Sequence, residues 1–307
     1  MGVTKLTATK VSIATASVLA ITKATIGLLT GSLAVLSSAL DSILDIISSS
    51  VNYVAVKVSD QPPDENHPYG HTKFEPLAAQ IQSFLILFSG IYIFYKAYTN
   101  VEQQAVITDI SINIYVMLFS MFATLFLVIF LRKVAKAEKS QVLEADSLHY
   151  EIDLLTNGGV LVALLIIKFT GYHLIDSLVS ALIAVYIIFS AIRLNFNVTK
   201  DLLDEVIPDD ELAIVEEIIN SHSKDIVEVH KLRTRKAGTK RFIDMHLVLW
   251  NGMSLQKAND LRTDIENRIK KSLKDSDVNI YIEPCKADIC DECEVCGDGR
   301  NTSGREK

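Results

Sequence analysis

The chain has 307 residues, a net charge of −7 and 49% hydrophobic residues, and its charge is unevenly spread. Residues 1–200 carry 13 Lys/Arg and 14 Asp/Glu, whereas the remaining 107 carry 17 and 23. That split excludes a secreted, disordered or collagen-like chain, the acidic balance argues against nucleic acid as a partner, and an integral membrane protein with a soluble C-terminal part is left.

Two windows without a single charge, Ile110–Leu131 and Pro76–Tyr95, are each long enough to cross a bilayer core as a helix. Six spans are predicted, at about 11–31, 33–58, 75–99, 110–132, 143–169 and 174–195. The first is not read as a cleaved signal peptide, because the apolar run continues through Thr30-Gly31-Ser32 into the second. Lys5 and Lys10 precede span 1, and Lys57 and Lys73 flank the loop after span 2. Arg132, Lys133, Lys136 and Lys139 lie between spans 4 and 5, and Arg193 and Lys200 end span 6. The alternate loops are poor in Lys and Arg, so the basic-residue bias places both termini in the cytoplasm.

From Pro208 the periodicity changes. A helix over Asp209–Ser221 opens on acidic residues, and strands are predicted over Ile226–Thr234 and Arg241–Trp250. Ser254 is placed as the N-cap of a helix to Leu273, and Val278–Glu283 is a last strand. The order α-β-β-α-β makes a small α+β domain. The predicted divisions are 1–207 for the membrane part, 208–285 for the cytosolic domain and 286–307 for an acidic tail.

Ionisable side chains inside a span are costly, so each needs a reason. Asp41 and Asp45 lie four apart in span 2, as do His149 and Asp153 in span 5, so each pair shares a helix face. If the faces meet, three carboxylates and an imidazole converge, a ligand set suited to Zn²⁺ and neighbouring first-row ions rather than Mg²⁺ or Ca²⁺. Ser38, Ser48, Asn52, Asp146 and Asn157 continue the stripes as the wet wall of a pathway. The competing reading has the acids pairing with lysines such as Lys23, which serves one carboxylate but hardly three. A channel's charge rings and a metalloprotease's His-Glu-x-x-His are both missing from the sequence, so the chain is not read as an enzyme.

Asp41-x3-Asp45 with His149-x3-Asp153, and the loop from Asp64 through His67 and His71 to Lys73 and Glu75, closely resemble the cation diffusion facilitator family. The Asp/Asp plus His/Asp quartet resembles its zinc and ferrous-iron efflux subgroup, and the resemblance covers about residues 8–285. It implies an all-α six-helix transmembrane bundle with a metallochaperone-like cytosolic domain. It also implies a homodimer in the bacterial inner membrane that exports Zn²⁺ or Fe²⁺ against protons, with the metal also a regulatory ligand and no organic cofactor. Its alternative is a proton-independent channel or uniporter. The resemblance further implies a loop metal site at Asp64, His67 and His71, and a cytosolic one at His230, His246 and Glu283, where Glu283 replaces a usual Asp. Asn259 and Tyr281 stand where further His ligands are usual, and Lys73 is expected to pair with Asp204.

The tail goes beyond that pattern. Cys285, Cys290, Cys293 and Cys296 form a Cys-x2-Cys-x2-Cys run with a fourth Cys five residues upstream, in a compartment that disfavours disulfides. Such spacing suits a Cys₄ Zn²⁺ site or an iron–sulfur cluster, and the other reading is a loose acidic tail.

Overall fold

The computed structural model of the chain describes residues 4–31, 33–99, 111–170 and 174–285, and these divide into two compact units between Leu202 and Leu203. The first unit contains α1 (Lys5–Thr30), α2 (Leu33–Ser59), α3 (Phe74–Thr99), α4 (Ser111–Glu138), α5 (Gln141–Thr170) and α6 (Leu174–Leu202). All six are long and apolar enough to cross a membrane. Their outer faces carry exposed Leu, Ile and Phe, as lipid-facing surfaces do, while small and polar residues turn inward.

α1 begins before the predicted span because Thr4 caps it, its hydroxyl accepting the Thr7 N–H. It ends at Gly31, whose left-handed φ of 69° makes a C-cap, so the helix stops where the apolar run itself continues. Lys5 therefore does not precede the span. It is the first residue of the helix, buried in ion pairs with Glu75 at 3.0 Å and Asp60 at 2.8 Å.

The principal packing pairs are α1 with α2, α3 with α6 and α4 with α5. Ala8, Leu127, Leu131, Leu143 and Tyr150 form a core where α1, α4 and α5 meet. Val56, Ala79, Val142, Ala145 and Val198 form another where α5 meets α2, α3 and α6. α5, which carries half of the predicted quartet, is thus gripped on several sides.

The second unit contains α7 (Asp209–Asn220), β1 (Ile226–Ala237), β2 (Lys240–Leu249), α8 (Leu255–Ser272) and β3 (Ser276–Pro284), the α-β-β-α-β order expected. The sheet order is β1-β2-β3, with β1 and β2 antiparallel and β2 and β3 parallel. Alternation along β2 sends Ile243, Met245, Leu247 and Leu249 into a core with Val215 and Ile219 of α7 and Ile265 and Ile269 of α8. Both helices cover that one face. Arg241 donates to both carboxylate oxygens of the buried Glu211, 2.7 and 2.6 Å away, pinning α7 to β2; that pairing raises the guanidinium's already high pKa.

Candidate metal centres

Within the helix bundle, α2 presents Asp45 to His149 and Asp153 on α5. His149 Nε2 lies 3.0 Å from Asp45 Oδ1 and 3.8 Å from Asp153 Oδ2, and one ligand atom from each of the three falls within 4.8 Å of the others. The i, i+4 spacing on α5 stacks its two ligands, and the packing of α2 against α5 supplies the third. They line a cavity of about 370 Å³ with Lys23, Ser38, Ser42, Ser120, Thr124 and Asn157. Asp41 lines the same cavity but is exposed, and its carboxylate is not among the atoms gathered within 4.8 Å.

The polar stripe beyond the site is not a wet wall throughout. Asp146 has 0% exposure. Its Oδ2 accepts from Ser12 Oγ at 2.8 Å, and its Oδ1 accepts from Asn52 Nδ2 at 3.0 Å. Ser49 Oγ lies 2.9 Å from the Tyr150 hydroxyl and joins the same network. Five buried polar groups from α1, α2 and α5 thereby satisfy one another one helical turn from His149. The sequence marked Asp146 and Asn52 as polar, but Ser12 and Ser49 looked like ordinary small residues of a span. Only the packing identifies them as partners.

The loop after α2 brings together its three predicted residues. Asp64 Oδ1 accepts the His67 backbone N–H at 2.6 Å, and His67 Nδ1 is 3.2 Å from the same oxygen. His71 Nε2 lies 3.3 Å from Asp64 Oδ2, and the two imidazoles are 4.4 Å apart. The His67 backbone N–H, followed by its ring, holds the Asp64 carboxyl below the usual carboxylate range. His71 is 7% exposed, and its Nδ1 is buried without a hydrogen-bond partner. One carboxylate and two imidazoles whose ligand atoms lie within 4.8 Å of one another are a donor set that fits a divalent ion.

In the second unit, register explains the third group. His230 pairs directly with His246 across β1 and β2, and His246 with Tyr281 across β2 and β3. Glu283, two residues past Tyr281, projects from the same face, the one that α7 and α8 leave uncovered. His246 Nδ1 lies 2.5 Å from Glu283 Oε1, and His230 Nε2 lies 3.2 Å from Glu283 Oε2. The hydrogen bond from His246 is the main reason that the Glu283 carboxyl sits below its ordinary range. The ladder shifts between His230 and Arg233, where Lys231 takes φ 52°, an irregularity with no signal in the strand pattern. Tyr281 stacks on His246 at 5.0 Å. Asn259 lies on α8 and accepts from Arg262. His222 ties α7 to α8, its Nε2 3.0 Å from Asp264.

Cys285 is buried beside Val248, Val227 and Trp250, and its N–H donates to Leu249 O at 2.8 Å. Cys290, Cys293 and Cys296 lie outside the described residues. Lys73 and Asp204 belong to different units: Lys73 Nζ donates to the Leu202 carbonyl at 3.4 Å, and Asp204 accepts from Arg235 at 3.0 Å.

Residues 9–203 match the family model described as the cation efflux transmembrane domain, and residues 207–285 match the cytoplasmic domain of cation efflux proteins, a dimer-forming domain. The chain is 38% identical over 272 residues to the cation-efflux pump FieF of Yersinia pestis (strain Pestoides F), covering 89% of this chain and 90% of that pump. The same figures hold for the cation-efflux pump FieF of Yersinia pseudotuberculosis serotype O:3 (strain YPIII). A solved structure, the metal-bound C-terminal domain of the CzcD transporter from Thermotoga maritima, is 30% identical over 25% of this chain and 94% of that domain, with a TM-score of 0.23. By these two domain matches and this identity over most of its length, the chain is a membrane-spanning cation efflux transporter and belongs to the cation diffusion facilitator family.

Proposed function

We propose that the protein exports Zn²⁺ or Fe²⁺ from the cytoplasm across a bacterial inner membrane in exchange for protons, as a homodimer with both termini in the cytoplasm. The observation that carries this is the convergence of Asp45, His149 and Asp153 on one polar cavity inside the helix bundle. A mixed imidazole–carboxylate set favours Zn²⁺ and Fe²⁺ over the all-oxygen coordination that Mg²⁺ and Ca²⁺ prefer. Asp41, one turn away on α2 and lining the same cavity, is the fourth ligand of this reading. It closes on the ion by a change of rotamer or a small movement of α2.

Exchange follows from the chemistry of such ligands. They bind metal only when deprotonated, so protons and metal compete for the same atoms. Rocking the bundle around a fixed site then presents it to each side in turn. Asp64, His67 and His71 are proposed as a cytoplasmic loop site, and His230, His246 and Glu283 as the metal-binding site of the cytosolic domain. The four cysteines are proposed as a separate thiolate site for Zn²⁺ or an iron–sulfur cluster in the tail.

The test is metal flux in proteoliposomes with an imposed pH gradient and a pH-sensitive dye inside, across Zn²⁺, Fe²⁺, Mn²⁺, Cd²⁺ and Co²⁺. The proposal expects protons to move opposite to the metal, with Zn²⁺ or Fe²⁺ giving the highest kcat/KM. Metal flux without proton movement establishes a uniporter or channel instead.

A further inference from the structure

The transport cavity contains a cation of its own. Lys23, from α1, is the one Lys or Arg lining the cavity that holds Asp41, Asp45, His149 and Asp153, among the described residues. An ionisable residue in the middle of an apolar span calls for a functional account. Its Nζ donates to Ser42 Oγ at 2.9 Å, and Ser42 itself is 1% exposed. Asp41, Asp45 and Asp153 line the same cavity as this ammonium. A half-buried ammonium that shares its cavity with three carboxylates yet is hydrogen-bonded to a neutral hydroxyl leaves the carboxylate lone pairs available to another cation.

Position adds a second observation. Lys23, Ser38, Ser120 and Asn157 also line a further cavity of about 180 Å³, completed by Val35, Val116 and Met117. These three sit near the first turns of α2 and α4, the end of the bundle opposite the Asp146 network. Lys23 therefore borders both the cavity of the ligand cluster and this second one.

We propose that Lys23 is a tethered competitor of the transported ion: its ammonium waits on Ser42 while metal is bound and takes the carboxylates as metal leaves. The inference rests on the transport-site reading above. Four methylenes give the ammonium reach without moving α1, and a compact point charge suits carboxylates in any orientation. Its repulsion keeps the site from holding a divalent ion too tightly, and its occupation of the emptied carboxylates opposes re-binding from the exit side. Lys23 is in this sense a positioning residue that sets turnover, not a metal ligand.

The experiment uses the full-length protein, wild type and with Lys23→Met, Lys23→Gln, Lys23→Arg or Asp45→Asn. It reads equilibrium Zn²⁺ binding in detergent and Zn²⁺ turnover in proteoliposomes. The readout is the component of binding that Asp45→Asn removes. Loss of the positive charge in Lys23→Met and Lys23→Gln is expected to tighten that component by roughly tenfold and to slow turnover by at least as much. Lys23→Arg, which keeps the charge on a bulkier, planar group, is expected to lie closer to wild type than the neutral variants do on both. A merely structural staple between α1 and α2 would weaken binding and turnover together. Unchanged or weaker binding in both neutral variants, or an arginine variant as impaired as the neutral ones, overturns the proposal. An Asp45→Asn protein that binds and transports like wild type shows instead that the transport-site reading has failed.

Discussion

Glu75 illustrates what a single buried charge does in this bundle. At 1% exposure it faces the Lys5 ammonium at 3.0 Å and accepts from the hydroxyls of Ser59 and Ser140, so one carboxylate ties together the start of α1, the end of α2, the start of α3 and the cap of α5. Replacing it with alanine leaves the Lys5 ammonium with Asp60 alone and takes the acceptor from both hydroxyls; breaking a buried pair from one side typically costs about 3–5 kcal/mol, and the Asp60 contact offsets part of that. Glu75→Ala is therefore expected to lower the thermal midpoint in detergent by far more than Glu144→Ala, whose side chain is exposed on the first turn of α5. Equal midpoints would show that the cluster contributes no net stability. Asp264 supplies a pH-dependent case. The hydrogen bond from His222, aided by Arg268, holds its carboxyl below the usual range. A depressed carboxylate stabilises the fold above its ordinary pKa of about 4, and that contribution is lost as pH falls through the lowered value. Asp264→Asn should therefore destabilise the protein at neutral pH and flatten the loss of stability on acidification. An unchanged acid limb of the stability–pH profile would contradict this.

Residues whose spacing alone brings them together were legible. His149 and Asp153 share a face by helical period, whereas the grouping of Asp64, His67 and His71 came from the family resemblance and not from spacing. What escaped the sequence was long-range partnership. Ser12 meets Asp146 from 134 positions away, and nothing about an isolated Ser in an apolar run announces it. Lys5 read as a flanking charge because its partner, Glu75, is 70 positions distant.

The elements themselves followed from local rules, since apolar period, the Ser254 cap and β2 alternation all point the same way, while the Thr4 cap that starts α1 early went unread. Helix pairing depended instead on shape. Gly90 on α3 is where that helix meets α6: a Cβ added there would come within 2.8 Å of Ile187 Cγ2 and 3.0 Å of Ile188 Cγ1. Small residues permit this closeness, and a larger one must separate helices that lack a hydrophobic drive to reassociate in lipid. Gly90→Val is expected to cost about 1–3 kcal/mol through overpacking and to raise protease sensitivity of the bundle. A variant as resistant as wild type would show that α3 and α6 tolerate a wider spacing. The irregular ladder beside His230 was equally beyond reach of pattern, because the shift belongs to the β1–β2 pair and not to either strand.

At the scale of the whole molecule, the chain combines a membrane unit carrying a charged site with a second unit carrying another ligand group, and the two are joined at Leu202–Leu203. The expected pairing of Lys73 with Asp204 concerns that junction. If it operates, Lys73→Asp and Asp204→Lys each lower transport and the double exchange restores a good part of it, by more than the roughly 0–1 kcal/mol of an exposed pair. No recovery in the double variant would remove the pairing from the account. The central claim, however, is that Asp45, His149 and Asp153 hold the ion during its passage. The most direct measurement is Zn²⁺ uptake into proteoliposomes by Asp45→Ala and Asp153→Ala proteins that elute and unfold like wild type. Loss of either ligand is expected to reduce uptake to the level of protein-free vesicles while Zn²⁺ binding to the cytosolic domain persists. Wild-type rates in both variants would place the transported ion elsewhere in the bundle.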